Sequence, residues 1–263
     1  FIIKSKMKKI IALLSVFVLL VSSCSSDEQN NSTEGSLTQE GTLLKRVVTQ
    51  MGSNNSIADY TYFDGNKLQS IITNNGAKFL FSYSGNKIVE QNYYINNVLQ
   101  TKENYEYDSQ ERMIQRKSLN YINNKGYKAD FVYNLDGTVN IFGFRGDLDT
   151  QNEQIVNNKV YLFSNGNVEK MEKFVEIGGV SHTKTTIYTY DNLNSATNSI
   201  VGFNKIKLWD TGTSGNINNN LTILYSTTEN SETYTDTITY TYNTQGFPIT
   251  SVFSNISSQI YYN

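Results

Sequence analysis

Very few residues of this chain could do chemistry. His182 is the only histidine and Cys24 the only cysteine. A lone histidine cannot build the multi-histidine sites usual for zinc or iron. A serine triad would have to use His182, yet no nucleophile-elbow motif accompanies it. Its setting, Ser181-His182-Thr183-Lys184, reads as a partly exposed strand. Asp147, Asp149, Gln151 and Glu153 place side-chain oxygens at alternate positions, as a calcium loop does. The central glycine and the final glutamate of an EF-hand are missing, so an acidic surface loop is the better reading. The chain holds 24 acidic residues, so a carboxylate pair for glycoside hydrolysis stays open, but nothing singles one out. No glycine-rich phosphate loop joins a strand to a helix. These residues lead to no catalytic residue, no metal and no cofactor. Trp209, the only tryptophan, lies in an irregular segment and is a weak ligand-binding candidate, read equally well as packing.

Cys24 acquires meaning from what precedes it. Lys4, Lys6, Lys8 and Lys9 form a basic flank, and Ile10 to Val21 is apolar except for Ser15. That run is short of the roughly 20 residues that span a bilayer and fits a secretory signal. Met7 is the natural start, which leaves 1–6 upstream of it. Val21-Ser22-Ser23-Cys24 resembles the lipobox of bacterial lipoproteins. The resemblance implies that residues 1–23 are a signal peptide and that Cys24 is acylated to become the mature N-terminus. No thiol then remains for a disulfide. Removal of 1–23 leaves 18 basic and 24 acidic residues, a net charge of −6. Such a chain is a poor partner for nucleic acid, and its membrane attachment would rest on the acyl chains. Residues 24–41 are polar, with Leu37 the one large apolar side chain, and read as a flexible tether. Ser26-Asp27-Glu28 also resembles the short acidic signal that exports some Bacteroidota lipoproteins to the cell surface.

The remainder, 42–263, reads as one domain built on a repeat. An aromatic-x-aromatic unit recurs at Tyr60/Tyr62, Phe81/Tyr83, Tyr105/Tyr107, Phe131/Tyr133, Tyr161/Phe163, Tyr188/Tyr190 and Tyr240/Tyr242. Successive starts lie 21, 24, 26, 30, 27 and 52 residues apart, and the last gap suggests one unit without its signature. Turn residues follow each pair, such as Asp64-Gly65, Ser84-Gly85, Asp136-Gly137 and Asn165-Gly166. Asp-Gly and Asn-Gly favour tight hairpins because those turns need positive φ. Each unit is therefore a β-hairpin. Between Glu232 and Asn243 the aromatic side chains share one face with Asp236, and threonines fill the other. That is the pattern of a strand buried on one side. The fold class is all-β: an up-and-down antiparallel meander of about 16 strands. So long a sheet curls or closes into a barrel, in preference to splitting into a β-sandwich. Residues 191–220 break the pattern and read as a loop or a short helix capping one end of the sheet.

Two resemblances follow from these residues. Tyr105-Glu106-Tyr107-Asp108 with Arg112-Met113 resembles the YD repeats of Rhs-type proteins. The lipobox, the hairpins, Tyr188 to Asp191, Asn218 to Asn220 and Gly246-Phe247-Pro248 together resemble an uncharacterised family of Bacteroidota lipoproteins with a porin-like fold. Asn192-Leu193-Asn194-Ser195 departs from that family's pattern, which has Asn-Pro soon after Tyr-Asp. The family implies a fold and an envelope address and no reaction. A bilayer-spanning barrel is disfavoured by charge on both faces of 167–177, where Glu169 and Lys173 oppose Lys170, Glu172 and Glu176.

The sequence thus leads to a lipid-anchored, non-enzymatic protein of the outer membrane, on its surface or its periplasmic face. It would bind an envelope or extracellular glycan or protein through loops such as 191–220. The alternatives are a structural scaffold of YD-like hairpins and a carboxylate-based hydrolase.

Overall fold

The computed structural model describes residues 38–207, 215–229 and 232–263. Eight hairpins give sixteen strands. They are β1 (Leu44–Met51), β2 (Asn54–Phe63), β3 (Lys67–Thr73), β4 (Ala77–Ser84), β5 (Lys87–Ile95), β6 (Val98–Tyr107), β7 (Met113–Asn120) and β8 (Lys125–Tyr133). The second half comprises β9 (Val139–Gly146), β10 (Gln151–Leu162), β11 (Val168–Ile177), β12 (Val180–Tyr190), β13 (Asn220–Thr227), β14 (Thr233–Tyr242), β15 (Pro248–Phe253) and β16 (Ile256–Tyr262). Every strand pairs antiparallel with its sequence neighbours, and β1 pairs with β16, so the meander closes into a barrel and is not a sandwich. The closing seam aligns Val47 with Ile260 and Thr49 with Ser258, whose hydroxyls lie 3.0 Å apart inside the wall.

The aromatic pairs stand at the ends of the even strands, all at one rim of the barrel. Tyr60, Phe81, Tyr105, Phe131, Tyr188 and Tyr240 point inward and join one core with Leu68, Ile88, Met113, Val139, Ile141, Val160, Ile223 and Ile238. The second tyrosine of a pair reaches back to the first residues of the odd strand before it. Tyr107 donates its hydroxyl to the Ile88 carbonyl at 2.7 Å and Tyr133 to Met113 at 3.0 Å. Tyr190 donates to Val168 at 2.8 Å, and Tyr262 to Pro248 at 2.7 Å. Tyr62 donates to Leu44, and Tyr83 accepts from the Leu68 amide at 2.9 Å. This belt satisfies backbone groups where strands leave the ladder.

A one-residue bulge accompanies the belt. Thr61 pairs with Ser70 but Tyr62 with Leu68, so Gln69 is extra. The same shift recurs before Tyr83, Tyr107, Leu162, Tyr190 and Tyr242. Each bulge lets two residues three apart both face inward, as Ile88 and Gln91 or Met113 and Arg116 do. It also adds the twist that curves the rim.

Turn chemistry at this rim differs in detail from the expectation. Asp64 and Gly65 both have positive φ within the three-residue connection between Phe63 and Lys67. In the Asn134–Thr138 and Phe163–Asn167 turns only Gly137 and Gly166 do. There the chain makes an ordinary turn followed by one left-handed residue, closed by Asn134 N–H to Thr138 O at 2.9 Å. Glu111 holds the same position at φ 60 in the Tyr107–Asp108 hairpin. The Asp108 carboxylate fixes that turn by accepting from the amides of Gln110 and Arg112, each at 2.9 Å. Arg112 in turn lies 4.2 Å over the Tyr133 ring.

Two further expectations are corrected. The pair Tyr161/Phe163 faces outward, because Val160 and Leu162 occupy the inner positions of β10. The 52-residue gap hides no hairpin: β12 and β14 belong to consecutive hairpins, and 191–219 is an insertion between β12 and β13.

The outer wall carries charge at mid-height. Lys102 meets Glu90 at 2.6 Å, Lys128 meets Asp130 at 3.0 Å, and Lys170 meets Glu172 at 2.8 Å. Arg46 and Asp59 pair across β1 and β2. A bilayer-spanning barrel needs an uncharged outer band at this height, and this wall does not provide one.

Removing one belt hydroxyl tests its role. Tyr107→Phe and Tyr133→Phe should each lower unfolding stability by about 1 kcal/mol, the worth of one buried hydrogen bond. Tyr133→Ala should cost about 3–5 kcal/mol. Urea titrations with equal losses for both substitutions at Tyr133 would assign the effect to the hydroxyl alone. The same hydroxyls set an alkaline limit. Tyrosine in the unfolded chain ionises near 10.0, whereas burial pushes Tyr83 and Tyr133 up to about 12. The folded state then keeps protons that the unfolded state sheds, so stability holds below pH 10 and falls as pH rises toward about 12. Tyrosinate absorbance from the belt tyrosines, the part that Tyr83→Phe and Tyr133→Phe remove, should appear together with loss of β circular dichroism; that part forming in an intact barrel would contradict the belt.

Candidate functional site

The barrel interior is layered. At the tyrosine rim it is apolar and covered by the insertion. Ile200 and Ile206 drop into the core beside Leu68 and Ile88. Val201 N–H donates to Asn66 O at 3.0 Å, and the Val201 carbonyl accepts from Tyr83 at 3.2 Å. Gly202, at φ 75, rests so near β5 that a Cβ there would stand 2.6 Å from the Asn86 carbonyl oxygen. A one-turn 3-10 helix follows (Phe203–Lys205), and Lys205 pairs with Glu111.

The two roots of the insertion are held by Asp191 and a group of asparagines. The Asp191 carboxylate accepts from the amides of Leu193 and Asn219, each at 3.1 Å, from the Asn219 side chain at 3.0 Å, and from the Tyr242 hydroxyl. Asn167 accepts from Ile217 N–H at 2.9 Å, and Asn216 links Val168 N–H to the Tyr190 hydroxyl. Lys207 is half-buried; desolvation lowers its ammonium to about 8, and it donates to Gly215 O at 2.6 Å. The described parts of 191–220 therefore act as a cover packed by their own side chains. Trp209 and Cys24 lie outside the described residues.

Polar groups enter the wall midway along the barrel. Glu103 and Arg116 face inward on β6 and β7, 3.8 Å apart, and Arg116 lies 5.3 Å from the Tyr127 ring centroid. The Tyr127 hydroxyl in turn passes over Gly143, where a Cβ would come within 2.5 Å of it.

The far rim is where the inner wall becomes accessible. Rows of side chains cross it by register. One row runs Ile141, Asn158, Lys173, Lys184, Thr227 across β9 to β13. The adjoining row, nearer the core, runs Val160, Met171, Thr186, Tyr225, Tyr234. His182 stands on the rim side of Lys184, opposite Val175. Tyr225 and Tyr234 stack at 4.4 Å with an interplanar angle of 16°, and Tyr234 is 59% exposed. Asp236 accepts from Tyr225, whose hydroxyl is raised first by burial and then by that carboxylate. Arg145 and Glu153 pair across β9 and β10 at this rim, which lowers the Glu153 carboxyl.

The residues weighed from sequence fall in separate places. His182 is on this inner wall; its Nδ1 is buried and has no hydrogen-bond partner among the described residues. Asp147 caps its own turn by accepting from Asp149 N–H at 2.9 Å and Thr150 N–H at 2.6 Å. Glu153 is taken by Arg145. Among the described residues no group of three His, Cys, Asp or Glu side chains could hold a metal ion. The inward carboxylates Glu103, Glu153 and Asp236 come from β6, β10 and β14, four strands apart from one to the next. Sequence reasoning missed the pairing of Lys173 with Lys184. Counting back by twos from Tyr188 would have placed Lys184 inside, but the bulge at Glu169 hides the face of Lys173.

No family model and no curated protein sequence matches the chain. Among solved structures, a porin-like protein from Bacteroides vulgatus ATCC 8482 is similar over 85% of this chain and 99% of its own, with 13% identity and a TM-score of 0.47. A porin-like protein from Bacteroides uniformis ATCC 8492 is similar over 82% of this chain and 96% of its own, with 10% identity and a TM-score of 0.37. TcdB2-TccC3 without its hypervariable C-terminal region is similar over 77% of this chain and 10% of its own, with 14% identity and a TM-score of 0.28.

Asp191 offers a test of the cover. Asp191→Ala removes a charged acceptor that serves both roots and should cost roughly 2–4 kcal/mol. Hydrogen exchange should quicken at Leu193 and Asn219 while β6 to β9 keep their protection; uniform loss would make the insertion part of one cooperative unit with the wall.

Proposed function

We propose that the protein is a non-enzymatic envelope protein, anchored through an acylated Cys24 on the outer membrane, that binds a glycan or a protein at the open end of its barrel. The observation that carries this reading is the asymmetry of the interior among the described residues: one end is apolar and covered, the other presents exposed aromatic and charged side chains on a concave wall. Binding sites are concave and combine apolar surface with a few convergent polar groups. The described parts of 191–220, the binding element expected from sequence, cover the opposite end.

The described chain enters the barrel at its covered end. Thr38 pairs with Tyr262 at the tyrosine rim, and Asn243 donates to the carbonyls of Gln39 and Gly41. With the lipid on Cys24, the tether would join the barrel on that side. The charged outer wall is consistent with attachment by lipid and not by spanning strands. A scaffold of hairpins would need no uncovered tyrosine stack inside its wall. The hydrolase reading asks for two converging carboxylates, whereas Glu103 and Glu153 are each held by an arginine.

Cys24→Ala should abolish metabolic labelling with palmitate and release the protein from the membrane fraction. Protease treatment of intact cells then places the lipidated form: digestion means the surface, protection until lysis the periplasmic face. Palmitate labelling that survives the substitution would overturn the anchor. A hydrolase activity abolished by one carboxylate substitution would overturn the non-enzymatic reading.

A further inference from the structure

Lys173 and Lys184 face each other directly across β11 and β12 on the inner wall. Like charges opposed in a sheet are destabilising. Both are exposed, and neither has an ion-pair or hydrogen-bond partner among the described residues. Of the inward acids on the strands, Glu153 holds Arg145, Glu103 holds Arg116, and Asp236 accepts from Tyr225. A chain whose mature charge is −6 thus keeps two opposed lysines inside its open end, with no ion-pair partner of their own among the described residues.

Two neighbouring groups lack partners as well. Asn158, next in the row to Lys173, is 2% exposed, and among the described residues its Oδ1 has no hydrogen-bond partner; its amide nitrogen meets Met171 Sδ at 3.6 Å. A buried acceptor left unpaired is costly and marks a place where a donor is expected. The second group is His182, through its buried Nδ1. Tyr234 completes the set. Tyr225 covers one face of its ring, and the exposed side chain leaves the other to the interior. Register places Tyr234 two strands and one row from Lys184, a Cα separation of about 12 Å by sheet spacing. A short oligosaccharide bridges that span.

We propose that the open end binds an acidic saccharide. Lys173 and Lys184 together hold its carboxylate or sulfate. Asn158 Oδ1 accepts from a sugar hydroxyl, and the free face of Tyr234 packs on a pyranose ring. The ring platform and the orphan acceptor favour a sugar over a free anion, which would use the lysines alone. This inference rests on the reading of the open end as the binding end.

The test is affinity electrophoresis of the full mature chain through gels carrying polygalacturonate, dextran sulfate or neutral dextran. At least one acidic polymer should retard the protein. Retardation by polygalacturonate alone assigns a carboxylate, and by dextran sulfate alone a sulfate. Lys173→Gln with Lys184→Gln should weaken retention about tenfold or more, the loss of a charge-assisted hydrogen bond, and Tyr234→Ala should weaken it too. Lys45→Gln with Lys117→Gln removes the same charge elsewhere and should change nothing. Lys184→Gln should also raise the Tm of the unliganded protein, because the repulsion is gone. An equal loss in both double variants would reduce the effect to ion exchange and overturn the proposal. No retardation by either acidic polymer would also overturn it. Retention on neutral dextran that depends on Tyr234 but not on the lysines would overturn the acidic ligand while leaving the open end as the binding end.

Discussion

A sheet of sixteen strands closed on itself encloses more space than aliphatic side chains can fill. The rest of the structure depends on how that space is occupied. Aromatic residues solve half of the problem: each reaches far into the interior while its hydroxyl finds a strand-end carbonyl. The insertion between β12 and β13 solves more, bringing Ile200 and Ile206 in from above. Bulges bind the two solutions together. By placing inward residues three apart on the return strands, they let tyrosine rings and strand-start residues share one face and tighten the rim.

Filling one end leaves the other different. Away from the tyrosine belt, the inner wall turns from aliphatic residues to Glu103, Arg116 and Asn158, and then to Lys173, Lys184 and Tyr234 at the opening. A core that needed only stability would not set Lys173 against Lys184 or leave Asn158 Oδ1 unpaired. These departures from local rules lie on the inner wall, away from the tyrosine belt. The described chain begins at the covered end, where Thr38 pairs with Tyr262.

Much of this was legible in the sequence, because hairpins are local objects. Period-2 alternation marked strands, Asp-Gly and Asn-Gly marked turns, and the aromatic pairs marked the repeat, so strand number and the up-and-down order followed. Length called for a sheet that curls or closes, and the pairing of β1 with β16 decided closure. The repeat also carried two wrong implications. Tyr161 and Phe163 matched the pattern but face outward, since a short motif does not state its face when Val160 and Leu162 compete for the inside. The 52-residue interval looked like a silent hairpin because spacing cannot tell a lost repeat from an insertion.

The sequence by itself determined the strands and their order, which rest on neighbours along the chain. Tertiary structure decided the site. A bulge reverses which face every later residue of its strand occupies, and it is defined by the partner strand, not by its own residues. Lys173 therefore joins Lys184, Asn158 and Tyr234 only through register across five strands. Cross-strand register is long-range information, held in the packing of the closed wall and in no single stretch of sequence.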